Sequence, residues 1–152
     1  MTTKSSGFTL IELLVVVAIL GTIASIGVLS YNGYISSSKK KTAENILYQI
    51  ALGQTEFYTD NRIYKVDNNV NCPADADTSS EIETTLFGGS RVITETVAGG
   101  RASKIDFNFC IDDTGDYKIS ATATSASSLN CTITLNSNNE IDKTACQWPL
   151  MS

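Results

Sequence analysis

The apolar and polar positions of the chain follow two patterns in succession. From Phe8 to Leu29 the residues are almost all apolar, and Glu12 is the only charged one. A helix of about 20 such residues crosses the ~30 Å hydrocarbon core of a bilayer. A lone charge at the bilayer centre costs about 2.5 to 3.5 kcal/mol, so an ionisable group there indicates a function. The first pattern therefore predicts a membrane-spanning helix whose carboxylate needs a partner.

The second pattern begins after this span and is one-sided. Its apolar positions lie three and four residues apart, as in an amphipathic helix packed on a globular domain. The stripe is formed by Ala43, Ile46, Leu47, Ile50, Gln54, Phe57 and Tyr58. We therefore expect one helix that is apolar all round at first, apolar on one side afterwards, and that ends at about residue 58.

The remainder predicts a loop and then a sheet. Residues 59–90 are rich in Asn, Asp, Ser, Gly and Pro and are expected to form a loop. Four alternating stretches follow and predict strands; these are Arg91–Val97, Lys104–Ile111, Asp116–Thr124 and Asn130–Leu135. Their close succession predicts an antiparallel four-stranded sheet over residues 91–136, packed on the amphipathic helix. The predicted fold class is α+β.

Charge and cysteine content narrow the chemistry. The net charge is −5 and histidine is absent, which disfavours a nucleic-acid footprint and removes the commonest general base. The four cysteines lie in the polar C-terminal region without a CxxC or CxxH pair, which favours disulfides in an oxidising compartment over a metal; they are Cys72, Cys110, Cys131 and Cys146. We expect neither a cofactor nor an enzymatic activity.

Strand alternation restricts the disulfide pairing. Cys110 lies on the face opposite Phe107 and Phe109, whereas Cys131 shares a face with Ile133. If both strands belong to one sheet, Cys110 and Cys131 point apart. This disfavours one of the three connectivities and leaves two open.

Two acidic stretches are candidate cation sites, and neither fits well. Residues 67–71 begin like a calcium loop, but Cys72 and Thr78 stand where that loop needs glycine and glutamate. The cluster of Asp112, Asp113 and Asp116 fits a hairpin turn better than a cation site. No metal is expected.

The N-terminal residues carry a family resemblance. The stretch KSSGFTLIEL, residues 4–13, is followed by LVVVAILGTIASI and Tyr31, and together they resemble the leader and first helix of type IV pilin precursors. The resemblance covers residues 4 to 50. It implies that a prepilin peptidase cuts between Gly7 and Phe8, that Phe8 becomes the N-methylated first residue, and that Glu12 serves in assembly.

The same resemblance implies a domain organisation, partners and a location. Residues 1–7 would be the leader, 8–30 the transmembrane and assembly helix, and 31–152 the globular pilin domain. The precursor would sit in the inner membrane with a periplasmic globular domain and would polymerise, with itself or other pilins, through the pilus assembly machinery. The product would be an extracellular pilus that serves adhesion, twitching motility or DNA uptake.

The C-terminal run CTITLNSNNEIDKTACQW resembles the ending of minor-type pilins. That resemblance implies a Cys131–Cys146 disulfide, which closes a C-terminal loop over residues 131–146, and leaves Cys72 to pair with Cys110. Trp148 is expected to pack on the nearer disulfide.

Two features of the sequence depart from what the type IV pilin resemblance implies. The family usually carries proline where Leu29 stands, so Gly27 is the nearest candidate for a helix break.

The second feature is the distribution of lysines around the span. Lys39, Lys40 and Lys41 follow the span while Lys4 alone precedes it, and the positive-inside rule would then place the globular part in the cytoplasm. The cysteines favour the opposite orientation, and we interpret the lysine run as a solvated helix face, with anionic headgroups or a neighbouring subunit as the alternative contact.

Two other functions remain open. A pseudopilin of a type II secretion system shares the N-terminal signature, and a defined calcium site would favour it. A DNA-binding minor pilin would need its cations on one face; the candidates are Arg62, Lys65, Arg91, Arg101 and Lys104.

Overall fold

The computed structural model describes residues 7–67, 72–127 and 129–146. The chain divides into two compact units after Ser38. The expectations for the leader residues 1–6, for most of the stretch 67–71 and for Trp148 lie outside the described residues.

The described elements are two helices and six strands. The helices are α1 (Leu10–Asn61) and α2 (Ala76–Leu86). The strands are β1 (Thr94–Val97), β2 (Gly100–Ser103), β3 (Phe107–Asp112), β4 (Lys118–Ala123), β5 (Thr132–Asn136) and β6 (Ile141–Asp142). The predicted α+β class is confirmed.

Helix α1 has 52 residues and ends three residues beyond the predicted position. It continues through Gly27 and Leu29. In the first unit its segment Leu10–Gly27 is long and apolar enough to cross a membrane, and none of that segment is buried.

The second unit is built around the later part of α1. The core residues of α1 pack on the apolar face of a four-stranded antiparallel sheet with the order β3-β4-β5-β6. Cross-strand rows of buried side chains form that face, for example Ile111, Ile119 and Leu135. Ile46, Leu47 and Ile50 of α1 belong to the same core, which confirms that part of the amphipathic pattern. The pattern does not hold to the end of the predicted stripe, because Phe57 is half-buried and Tyr58 is 39% exposed.

The prediction of a loop over residues 59–90 is wrong, because α2 forms within it. Asp75 caps this helix: its side chain accepts a hydrogen bond from the Thr78 amide at 2.7 Å, and the Thr78 hydroxyl accepts one from the Asp75 amide at 3.0 Å. Such a reciprocal cap stabilises a first helical turn. Ile82 is fully buried and fixes the helix to the core. Asp, Ser and Thr are residues of caps as well as of loops, which explains the error.

The composition of the predicted sheet also needs correction. The first predicted strand is not part of the main sheet, because Thr94–Val97 pairs with Gly100–Ser103 in a separate hairpin. Gly99 (φ 102°) lies at its turn. The chain reverses again at Asp106 (φ 59°), so the next strand starts at Phe107 rather than Lys104. The fourth strand of the main sheet is the short β6, which pairs with β5.

The outer edge of β3 is closed by groups that do not belong to a strand. The Phe109 amide donates to the Ser79 hydroxyl at 2.8 Å, and the Phe109 carbonyl accepts from the Thr78 hydroxyl at 2.7 Å. Asp67 pairs with Ile111 in the same way, since its carboxylate accepts from the Ile111 amide at 2.7 Å and its own amide donates to the Ile111 carbonyl at 2.8 Å. These groups occupy the hydrogen bonds that an added strand would use.

The segment that closes this edge is itself anchored to α1. The buried Gln54 side chain makes two hydrogen bonds with the backbone of Lys65, at 2.6 and 2.9 Å. The Lys65 ammonium pairs with Asp67 and Glu81, each at 2.9 Å. These contacts with the two acids outweigh the effect of burial, which alone would lower the pKa of Lys65, and the net result is a raised pKa.

The lysine run is not uniformly solvated, contrary to the sequence interpretation. Lys39 pairs with Asp106, and Lys40 is only 9% exposed. Lys41 is exposed but pairs with Glu44 at 2.9 Å. The other oxygen of the Glu44 carboxylate binds Lys143 at 2.8 Å. Burial would raise the pKa of Glu44, but the two lysines outweigh it and hold that pKa below its usual value.

We expect Ser79→Ala to lower the free energy of unfolding by about 1 to 3 kcal/mol, because it leaves the buried Phe109 amide without an acceptor. Urea denaturation of the full chain in detergent, followed by near-UV circular dichroism, measures the change. Ser80→Ala is the matched control, since the Ser80 side chain has no partner among the described residues. Equal stability of both variants would show that the hydroxyl does not close the edge.

Candidate functional site

Gly7 and Phe8 precede the first turn of α1. Phe8 is 87% exposed. A Cβ added at Gly7 would meet nothing within 4 Å. Nothing described in this chain therefore requires glycine at position 7, and a demand for a small residue there would come from another molecule.

Glu12 has a partner within its own helix. Its Oε2 atom accepts hydrogen bonds from the Thr9 amide at 2.9 Å and from the Thr9 hydroxyl at 2.7 Å. The Glu12 amide donates back to the Thr9 hydroxyl at 3.3 Å. Thr9 and Glu12 thus form a reciprocal helix cap. The spacing T-x-x-E before an apolar run is the usual signature of such a cap, so the sequence contained the signal for it.

The cap leaves part of the carboxylate free. Among the described residues, Oε1 of Glu12 accepts no hydrogen bond. The hydroxyls of the span, in contrast, are used within the helix: Thr22 donates to the Ile19 carbonyl and Ser25 to the Thr22 carbonyl, both at 2.8 Å. In the described part of the span, Glu12 is therefore the charged side chain with acceptor capacity left for a second molecule.

The apolar side chains around Glu12 are uncovered. Every described side chain from Phe8 to Gly27 is exposed. A contiguous apolar surface of this length marks contact with a membrane or with other proteins. The site therefore combines a free acceptor with a surface that has to be covered.

The four cysteines form two disulfides on opposite faces of the sheet. Cys72 is linked to Cys110, with 5.8 Å between their Cα atoms, and Cys131 to Cys146, with 4.0 Å. Cys131 lies in the core cluster with Ile133, while Cys110 pairs across the sheet with Ser120 on the other face. These are the pairs that the resemblance favoured, and the faces agree with the strand alternation.

The acidic candidates are used within the fold. Asp112 accepts a hydrogen bond from the Thr114 amide at 2.9 Å and pairs with Lys118 at 3.0 Å, as a hairpin turn requires. Asp67 binds Ile111 and Lys65. The described residues contain no group of three or more His, Cys, Asp or Glu residues that could hold a metal ion.

Several of the candidate DNA-binding cations are also engaged. Lys65 is bound by two acids. Arg101 lies 3.9 Å from the buried carboxylate of Glu83, which also accepts from the Thr94 amide at 2.9 Å. Lys104 donates to the Arg91 carbonyl. The acidic partners of Lys65 and Arg101 reduce the positive charge available to a phosphate backbone, whereas the contact of Lys104 with a neutral carbonyl does not.

Comparisons with known proteins show what the N-terminal part of this chain is similar to. Residues 2–28 match the family model of the prokaryotic N-terminal methylation motif. The chain is 37% identical over 62 residues to fimbrial protein EcpC of Eikenella corrodens. This alignment covers 41% of the chain and 40% of that protein. It is 39% identical over 72 residues to the type IV major pilin protein PilE of Neisseria gonorrhoeae, covering 45% of this chain and 41% of that protein.

The matches thus span about two fifths of the length of these relatives. No solved structure matches the chain significantly. The motif places Gly7, Phe8 and Glu12 within the matched residues. The resemblance to type IV pilins that the sequence indicated is confirmed, and pilins are a structural class of protein rather than a catalytic one.

We expect non-reducing peptide mapping of the purified chain to recover Cys131 linked to Cys146 and Cys72 linked to Cys110. The physical reason is that Cys110 and Cys131 lie on opposite faces of one sheet, where a direct bond would need the backbone to move. The same digest after reduction and alkylation is the control. A peptide joining Cys110 to Cys131 would contradict the strand register.

Proposed function

We propose that this chain is a structural subunit of a bacterial type IV pilus, assembled from the inner membrane into a surface filament. The observation that carries the proposal is the uncovered apolar helix with a half-free carboxylate four residues after Phe8. Bundling of such helices would bury their apolar sides, and the second unit of each subunit would face solvent. Adhesion, twitching motility and DNA uptake are the functions we consider for the filament.

The proposed mechanism pairs two groups of neighbouring subunits. Cleavage after Gly7 by a prepilin peptidase creates an α-amino group on Phe8. In a helix bundle without water, the Glu12 carboxylate of one subunit binds this cation of its neighbour, because a paired charge is tolerated in a low dielectric where a lone one is not. The pair checks axial register rather than supplying raw affinity, since buried ion pairs contribute little net stability.

The proposed orientation places the second unit in the periplasm. Two disulfides support an oxidising compartment for that unit. Assembly partners are then the machinery of the inner membrane and other pilins, of the same or another kind. No catalytic role, cofactor or nucleic-acid partner is part of the proposal.

The alternative to a pilus subunit is a pseudopilin of a type II secretion system, because pseudopilins share the same N-terminal signature. The two disulfides favour the pilus subunit, and the engaged side chains of Lys65 and Arg101 argue against a DNA-binding minor pilin. Electron microscopy of cells without the gene separates the roles. Complete loss of surface fibres indicates a main subunit, and fewer normal fibres indicate a minor one.

We expect the mature chain to begin at N-methylated Phe8 and to retain 145 of the 152 residues. Intact-mass analysis and N-terminal sequencing of filament protein test this. Gly7→Leu should leave the precursor uncut, because a bulky side chain would not fit a peptidase that needs glycine, while Ser6→Ala is the control and should be cut. A mature chain that begins at Met1 or near residue 25 would contradict the pilin proposal.

We expect Glu12→Ala to abolish or sharply reduce assembled fibres without affecting membrane insertion or cleavage, since both precede the pairing of subunits. Glu12→Asp, which is one methylene shorter, should retain some fibres. Fibre counts by electron microscopy, together with membrane fractionation and precursor mass, provide the measurement.

Glu12→Gln separates the two roles that the structure gives this residue. Glutamine can keep the helix cap with Thr9 but cannot pair with a cation as a charge. We therefore expect Glu12→Gln to fail in fibre assembly as Glu12→Ala does. Fibres of normal number and length in Glu12→Gln cells would show that the cap matters and the amine pairing does not.

A further inference from the structure

Two exposed tyrosines follow the apolar span. Tyr31 is 64% and Tyr34 is 70% exposed. Within the described residues, neither makes a hydrogen bond or a ring contact. They lie where the apolar run of the sequence ends at Leu29 and before the polar stretch that begins with Ser36.

Their distance from Glu12 matches the thickness of a bilayer. Along a helix that rises 1.5 Å per residue, Tyr31 lies about 28 Å and Tyr34 about 33 Å from Glu12. A typical tilt of about 20° shortens the longer distance to about 31 Å. The hydrocarbon core is ~30 Å thick. A single helix in one bilayer therefore places the tyrosines at one boundary of the hydrocarbon core when Glu12 lies at the other.

We infer that Tyr31 and Tyr34 anchor the precursor in the lipid headgroup layer on the side of the globular domain, and thereby hold Glu12 and the Gly7–Phe8 bond at the opposite headgroup layer. The inference rests on the proposed function, because it needs the helix to span a membrane. It adds a lipid-facing surface and a fixed depth to that proposal.

The chemistry of tyrosine supports lipid headgroups as the partner. Water would leave two aromatic rings exposed, and hydrocarbon would leave two hydroxyls without partners. The headgroup layer satisfies both, which is why tyrosine is enriched at membrane interfaces. The continuity of these residues with the apolar span favours the same bilayer as the partner.

The proposed depth changes the role of Glu12 in the precursor. At the boundary of the hydrocarbon core, the carboxylate and its cap with Thr9 are within reach of water, so the cost of a charge at the bilayer centre does not arise. Glu12 enters apolar surroundings only when the helix is drawn out of its bilayer position into a filament. At that step the half-free carboxylate needs the new partner that the proposed assembly mechanism supplies.

Depth-dependent fluorescence quenching tests the inference. The full-length precursor is reconstituted at low protein density in vesicles of phosphatidylethanolamine and phosphatidylglycerol that carry brominated chains. The native tryptophan is replaced by Trp148→Phe, and single probes are introduced by Ile11→Trp, Ile23→Trp, Tyr34→Trp or Tyr48→Trp. Ile23 is midway between Glu12 and Tyr34, and Tyr48 is an exposed position 14 residues further along α1.

We expect Ile11→Trp and Tyr34→Trp to be quenched most by bromine close to the headgroups. Ile23→Trp should be quenched most by bromine close to the chain ends, with a blue-shifted emission. Tyr48→Trp should not be quenched and should emit as a probe in water.

Four results would overturn the inference. If Tyr34→Trp is not quenched while Ile23→Trp is quenched deep in the bilayer, the anchor is rejected and the membrane-spanning proposal stands. If the emission of Tyr34→Trp shifts only at higher protein density, the tyrosines contact a second copy of the chain instead of lipid. A deeply quenched Ile11→Trp would place Glu12 inside the hydrocarbon. An unquenched Ile23→Trp would reject both the anchor and the membrane-spanning helix of the proposed function.

Discussion

An apolar helix that its own chain does not cover is the constraint on which the rest of this molecule depends. The side chains from Phe8 to Gly27 are exposed, and burying such side chains is worth about 1.5 to 3 kcal/mol each. That surface has to be covered by lipid or by other helices. In the proposed function, the apolar surface contacts lipid of the bilayer first and the helices of a filament bundle afterwards.

The same helix has a different task in the second unit. There Ile46, Leu47 and Ile50 form one side of a core completed by the sheet. Ser79 and Asp67 close the free edge of β3, so this edge is not available for strand addition by another chain. In the proposed filament, closed edges would leave association to the apolar helix.

Glu12 connects local structure to the proposed assembly. One carboxylate oxygen caps the helix through Thr9, and the other has no partner among the described residues. A carboxylate that is half satisfied can stay at a membrane boundary and still bind a cation later. The charge is therefore compatible with insertion and becomes costly only when water is excluded, which is the condition under which a register check is effective.

The features that the sequence determined by itself are local or periodic. The span, the one-sided stripe of α1 and the Gly7–Phe8 motif depend on neighbouring residues, and the alternation in β3 was enough to separate Cys110 from Cys131. Tertiary structure decided what depends on distant partners. Ser79 meets Phe109 across 30 positions, Asp67 meets Ile111 across 44, and Lys39 meets Asp106 across 67. No short window of sequence contains both members of such a pair, which is why Lys39 was predicted as solvated although it is paired in the folded unit. The start of α2 is different, because its cap of Asp75 and Thr78 is local and its residue types also suit a loop.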